Sequence, residues 1–105
     1  MMPTYSIVGV TVTDPELFQR YVDGHGATLT EFGGRFLAAG EDFETIEGAW
    51  PGQITVVHEW PNRGAFHAWY ASEAYRPWKE MRHAAASTNL VLIDGLPVVP
   101  DTDAD

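Results

Sequence analysis

The sequence predicts an α+β domain of β-α-β-β-α-β order with a split second helix. This is the ferredoxin-like arrangement, an antiparallel sheet with helices on one face. Three observations predict it. Residues 5–12, 53–60 and 89–93 are β-branched and aromatic-rich runs with little charge, which read as strands. Between them lie stretches whose apolar residues recur at helical spacing, opened by Thr13-Asp14-Pro15-Glu16 and by Pro61-Asn62. The strands also lack clean apolar–polar alternation, so both faces of the sheet carry large apolar groups.

In the first strand, Tyr5, Ile7, Gly9 and Thr11 share one face, and Ser6, Val8, Val10 and Val12 the other. Thr13 and Glu16 have the spacing of a capping box, and Pro15 suits a first helical turn. Phe18, Tyr21, Val22, Leu29 and Phe32 form the apolar stripe of the helix that follows. Gly24 and Gly26 weaken it by about 1 kcal/mol each relative to Ala, which predicts a break near His25. Gly33-Gly34 ends the helix. A short strand follows at 35–39, then an acidic, turn-rich stretch from Glu41 to Gly52 that holds a brief extended piece at 44–47.

In the strand 53–60, Ile54, Val56, His58 and Trp60 share a face. Asn62 caps a helix whose buried stripe is Ala65, Phe66, Trp69 and Tyr70. Ser72 ends it, and Pro77 opens the last helix, with Trp78, Met81, Arg82 and Ala85 on one side. Residues 89–93 form the last strand. The folded domain is expected over 1–96 and a disordered acidic tail over 97–105.

Fifteen acidic residues against six basic ones leave a net charge of -9. That argues against nucleic acid and against anionic membrane surfaces as partners. Cysteine is absent, which excludes disulfides and thiolate chemistry and leans toward a cytoplasmic protein. The start of the chain lacks the pattern of a signal peptide, and no run approaches the roughly 20 apolar residues of a spanning helix. No phosphate loop, dinucleotide glycine fingerprint or nucleophile elbow is present, so no nucleotide cofactor is expected.

Helices cover one sheet face, and the other is too apolar to be left in water at about 25 cal/mol per Å². The simplest solution is a homodimer with the two sheets face to face. The alternative is that the loop from Glu41 to Gly52 folds over this face, although Phe43, Ile46 and Trp50 are its few large apolar residues.

Several short motifs follow one another along the chain: Thr13-Asp14-Pro15-Glu16, Gly33-Gly34-Arg35-Phe36, Glu47-Gly48, Trp50-Pro51, Glu59-Trp60-Pro61, the run Trp69 to Tyr75, Arg82 and Asp94-Gly95. In this order and spacing, over about residues 4–95, the chain resembles the domain-of-unknown-function 1330 family. The resemblance implies membership of the dimeric α/β-barrel superfamily. That superfamily includes cofactor-free monooxygenases, muconolactone isomerases and haem-dependent chlorite dismutases. It implies a fold and a dimer, and no agreed activity. His58 and Trp60 stand where such sequences tend to show an aliphatic residue and Phe.

Candidate site residues come from chemistry. An inward arginine needs an anion, so Arg35 and Arg82 are candidates for holding a substrate carboxylate or enolate. The structural alternative is internal ion pairing, with Glu47 and Glu59 as available carboxylates. Trp69, Tyr70, Tyr75 and Trp78 crowd one region, either as the wall of a pocket for a planar ligand or as ordinary core. Tyr75 can donate to a developing oxyanion. His25 and His58 are the weaker catalytic candidates, as bases or as satisfied interior histidines; His67 and His83 read as surface residues. No histidine pair has metal-helix spacing, so no metal site is expected. The expected function is binding of a small, anionic or planar organic molecule between sheet and helices. Arg35, Trp69, Tyr75 and Arg82 are its ligand-binding residues. The alternative is a cofactor-free isomerase or monooxygenase acting on an enolisable aromatic metabolite.

Overall fold

In the computed structural model, residues 2–97 are described. The elements run β1 (Thr4–Val12), α1 (Pro15–Gly24), α2 (Gly26–Glu31), β2 (Arg35–Gly40), β3 (Ile54–Trp60), α3 (Arg63–Tyr70), α4 (Arg76–Ala85) and β4 (Ala86–Asp94). They form the expected ferredoxin-like α+β fold. The sheet is antiparallel, in the order β2-β3-β1-β4. The expected acidic tail lies outside the described residues beyond Pro97.

Both helical breaks follow from the local sequence. His25 caps the end of α1 and precedes α2, between the two glycines that weaken the helix. Ser72 closes α3 by donating to the Trp69 carbonyl at 2.7 Å, and accepts from the Tyr75 amide at 3.1 Å on the approach to α4. Two details differ from the expectation. Asp14, not Thr13, caps α1, because its carboxylate accepts from the Leu17 amide at 3.2 Å. No strand forms at 44–47, and the segment pairs with neither edge of the sheet.

Register decides what each face carries. Thr4, Ser6, Val8 and Val10 stand opposite Trp60, His58, Val56 and Ile54 on the helix-covered face. Tyr21, Leu29, Trp60, Phe66, Trp69 and Tyr75 form the main core cluster there, with Val8, Val10 and Ala86 beside it. A register shift between Phe36 and Ala38 bulges β2, which places Phe36 opposite His58 and Arg35 opposite Glu59 on the other face.

The opposite face is bare. Val91 and Ile93 are 59% and 54% exposed there. The loop from Glu41 to Gly52 meets this face only at one end. There the Pro51 carbonyl lies over Gly9, where a Cβ would collide with it, and Trp50 Nε1 donates to Thr55 Oγ1 at 3.0 Å. Phe43, Ile46 and Trp50 remain exposed, so the loop does not cover the sheet. The chain is a slab about 18 Å thick with a radius of gyration of 15.1 Å. A compact chain of this length would have roughly 13 Å.

Candidate functional site

Between the sheet and the α1–α4 layer lies a cavity of about 330 Å³. That is the small end of the ~300–1,000 Å³ typical of small-molecule sites. Its apolar floor is Val8, Val10, Ile54, Val56 and Leu90. Its distinctive wall is aromatic. His25 stacks on Tyr21 with centroids 4.0 Å apart. The Tyr21 and Tyr75 hydroxyls meet at 2.7 Å, and Tyr75 lies against Trp69 at 3.9 Å. Trp69 neighbours His58 at 6.4 Å, His58 meets Phe36 at 4.9 Å, and Phe36 returns to His25 at 5.7 Å. These six side chains make a closed circuit of ring contacts, and all six line the cavity.

The backbone positions each group for a local reason. Tyr21 and His25 are one helical turn apart and share a face of α1. The His25 Nδ1 lies 2.7 Å from the Tyr21 carbonyl, which holds the imidazole at the helix end. His58 sits across from Ser6 in the β1–β3 register, with its Nδ1 2.7 Å from the Ser6 hydroxyl. Trp60 Nε1 donates to the same hydroxyl at 2.9 Å. Trp69 Nε1 donates to Thr28 Oγ1 at 3.0 Å, tying α3 to α2.

Arg82 on α4 is 4% exposed and lines the cavity. Its Nη2 donates to Tyr70 Oη at 3.4 Å and lies 3.4 Å from His83 Nε2, while its Nε has no partner among the described residues. The ion pairs among the described residues are Arg35–Glu59, Arg63–Asp94, Arg76–Glu73 and Arg76–Glu80, so none of their carboxylates pairs with Arg82.

Burial controls the titration of the site. It lowers the pKa of His58 to about 4, with His25 adding to the effect, so His58 is neutral at physiological pH. Burial also lowers the pKa of His25, opposed by its bond to the Tyr21 carbonyl and helped by the Arg82 charge. Burial raises the pKa of Tyr75 and of Tyr21, so both phenols stay protonated. The site therefore offers neutral imidazoles, phenolic donors and one fixed cation, with Glu41 also on the cavity lining but not paired with Arg82.

Of the residues singled out from sequence, Trp69, Tyr75, Arg82, His25 and His58 come together around this cavity. Arg35 does not. It projects from the opposite sheet face, its side chain is 69% exposed, and Nε binds Glu59 Oε1 at 2.7 Å. The ion-pair alternative holds for Arg35 because the β2–β3 register puts it across from a carboxylate. His67 and His83 are exposed. The sequence reading missed Tyr21, Phe36 and Ser6. Tyr21 was discoverable from its four-residue spacing to His25, while Phe36 and Ser6 need the strand register. No group of three or more His, Asp or Glu able to hold a metal exists among the described residues. No helix among them is long and apolar enough to cross a membrane.

Comparison with known proteins agrees with this fold. The RPA0582 protein of unknown function from Rhodopseudomonas palustris superposes with a TM-score of 0.76 at 20% identity, over 93% of this chain and 84% of that one. SnoaB, a cofactor-independent oxygenase from Streptomyces nogalater, gives 0.61 at 18% identity, over 94% and 97%. A dimeric ferredoxin-like protein of unknown function from Thermobifida fusca gives 0.55 at 14% identity, over 88% and 90%. No curated protein matches the sequence. The family model described as Domain of unknown function (DUF1330) matches residues 3–96, so the chain belongs to that family.

Proposed function

We propose that the protein binds a small planar organic molecule carrying an anionic oxygen, in the cavity between the sheet and α1–α4. The observation that carries this reading is Arg82, a buried guanidinium that faces the cavity with no carboxylate beside it among the described residues. A buried charge without a counter-charge is costly, and a ligand anion relieves that cost. The Tyr75–Tyr21 hydroxyl pair supplies neutral donors beside it, and Trp69 supplies a flat wall. Arg35 has no part in the site.

The working unit is a twofold dimer joined through the bare sheet faces. The exposed Val91 and Ile93, the thin slab and the protruding loop support this, as does the dimeric fold relative from Thermobifida fusca. The missing cysteines suit a cytoplasmic setting, and the acidic charge suits neither nucleic acid nor an anionic membrane. A second reading, cofactor-free acid–base chemistry on an enolisable ligand, is favoured by the two neutral imidazoles in the same cavity. It also agrees with the fold shared with the cofactor-independent oxygenase SnoaB.

Titration with 2-naphthoate tests the binding reading. Saturable binding should raise the melting temperature and weaken at least tenfold in Arg82→Met. Absence of binding in the unaltered protein, or undiminished binding in the variant, overturns it.

A further inference from the structure

The two histidines of the cavity are held in opposite tautomers. The Tyr21 carbonyl can only accept, so the His25 Nδ1 that faces it carries the proton. The lone pair is therefore on His25 Nε2, which makes no hydrogen bond among the described residues. His58 is held the other way round. The Ser6 hydroxyl already accepts from Trp60 Nε1, and among the described residues its own proton has one acceptor within reach, His58 Nδ1. The ring proton of His58 is then on Nε2, which is buried and has no partner among the described residues. Burial keeps both rings neutral, so each keeps its single proton.

We propose that this chain catalyses enolisation of a planar ketone bound in the cavity, with His25 Nε2 as the general base and His58 Nε2–H as the donor to the enolate oxygen. This rests on the reading of the cavity as a small-molecule site. Phe36 touches both imidazoles and is 45% exposed on the bulged edge strand. Because His58 Nε2 is buried, the Phe36 ring must swing aside for a ligand bridging the two imidazoles to reach that proton. The step balances without a co-reactant. His25 Nε2 takes the proton from the carbon next to the carbonyl, and the C–H electron pair becomes the new C=C bond. The carbonyl π pair moves onto oxygen, which accepts the hydrogen bond from His58. His25 then returns the proton to carbon or to oxygen. The class of ligand is a one- or two-ring ketone with an acidic C–H beside the carbonyl. In this assignment His58 acts as the donor and His25 alone as the base. Arg82 and Tyr75 are left to hold a second oxygen.

The test has two arms. Long-range proton–nitrogen correlation on the full chain with nitrogen-15 histidine reads the tautomers directly. His25 should appear as the Nδ1–H form and His58 as the Nε2–H form, with Ser6→Ala releasing His58 to a mixture. In deuterated buffer the protein should accelerate hydrogen exchange at C1 of 2-tetralone, followed by proton NMR. His25→Gln should slow this about 100-fold or more, and His58→Phe by about 100-fold. Binding of 2-tetralone, followed by tryptophan fluorescence, is measured for each variant so that exchange is compared at saturating ketone. The reverse tautomer at either ring, or undiminished exchange in His25→Gln, overturns the assignment. Binding without accelerated exchange overturns it and leaves the binding reading intact. Failure of both 2-tetralone and 2-naphthoate to bind overturns both.

Discussion

The hydroxyls of Tyr21 and Tyr75 meet at 2.7 Å across the packing of α1 on α4, 54 residues apart in sequence and buried from water. This contact joins the two helices at the polar wall of the cavity. Tyr75→Phe leaves the Tyr21 hydroxyl buried without this partner, so the protein should lose about 1–3 kcal/mol of stability. Chemical denaturation checks that loss, and a parallel titration with 2-naphthoate should show weaker binding. Unchanged values in both would mean that the pair carries neither packing nor recognition.

Arg82 should behave in the opposite sense. Methionine has a similar reach and no charge to bury. Arg82→Met should therefore be neutral or stabilising, by up to about 1–4 kcal/mol, while binding of an organic anion falls. For a domain of this size, each kcal/mol corresponds to roughly 4–8 °C in melting temperature. Scanning calorimetry with and without 2-naphthoate separates the two effects. A strongly destabilised variant would point to an internal counter-charge instead.

Stability should fall with acid through the histidines. The folded pKa of His58 is about 4, below the ordinary 6.5, so the unfolded chain binds a proton that the folded chain refuses. The neutral form's advantage is complete above the unfolded value and is lost as the pH falls from there toward the folded one. The loss at this site is on the order of 3 kcal/mol. His25 is shifted in the same direction and adds to it. Unfolding free energy measured across this range should decline, and the decline should be shallower in His58→Gln. A flat profile would show that His58 is not buried in the neutral form.

Val91 lies on the uncovered sheet face, opposite Ile7. In a face-to-face dimer, Val91→Glu buries a carboxylate of each chain in the interface, where it is desolvated. Sedimentation equilibrium should report two chains for the unaltered protein and one for the variant. A monomeric unaltered protein that melts cooperatively would dismiss the dimer.

Much of the cavity was visible one segment at a time. Trp69, Tyr75 and Arg82 stood out as aromatics and a cation on helical stripes, and His58 by its place on an apolar strand face. Arg35 looked equivalent to Arg82 in sequence, yet the two sit on opposite sides of the sheet. The difference is the β-bulge after Phe36, which aligns Arg35 with Glu59. A bulge has no reliable signature in a six-residue strand.

By itself the sequence determined the order of the elements, the breaks at His25 and Ser72, and a sheet apolar on both sides. Each of these depends on residue spacing over a few positions. Tertiary structure alone decided that six rings close a circuit around one cavity. It also decided that Arg82 is buried with no ion-pair partner among the described residues and that Ser6 lies against His58. Those contacts join residues up to 54 positions apart. They exist only once antiparallel register and helix docking have set which side chains meet.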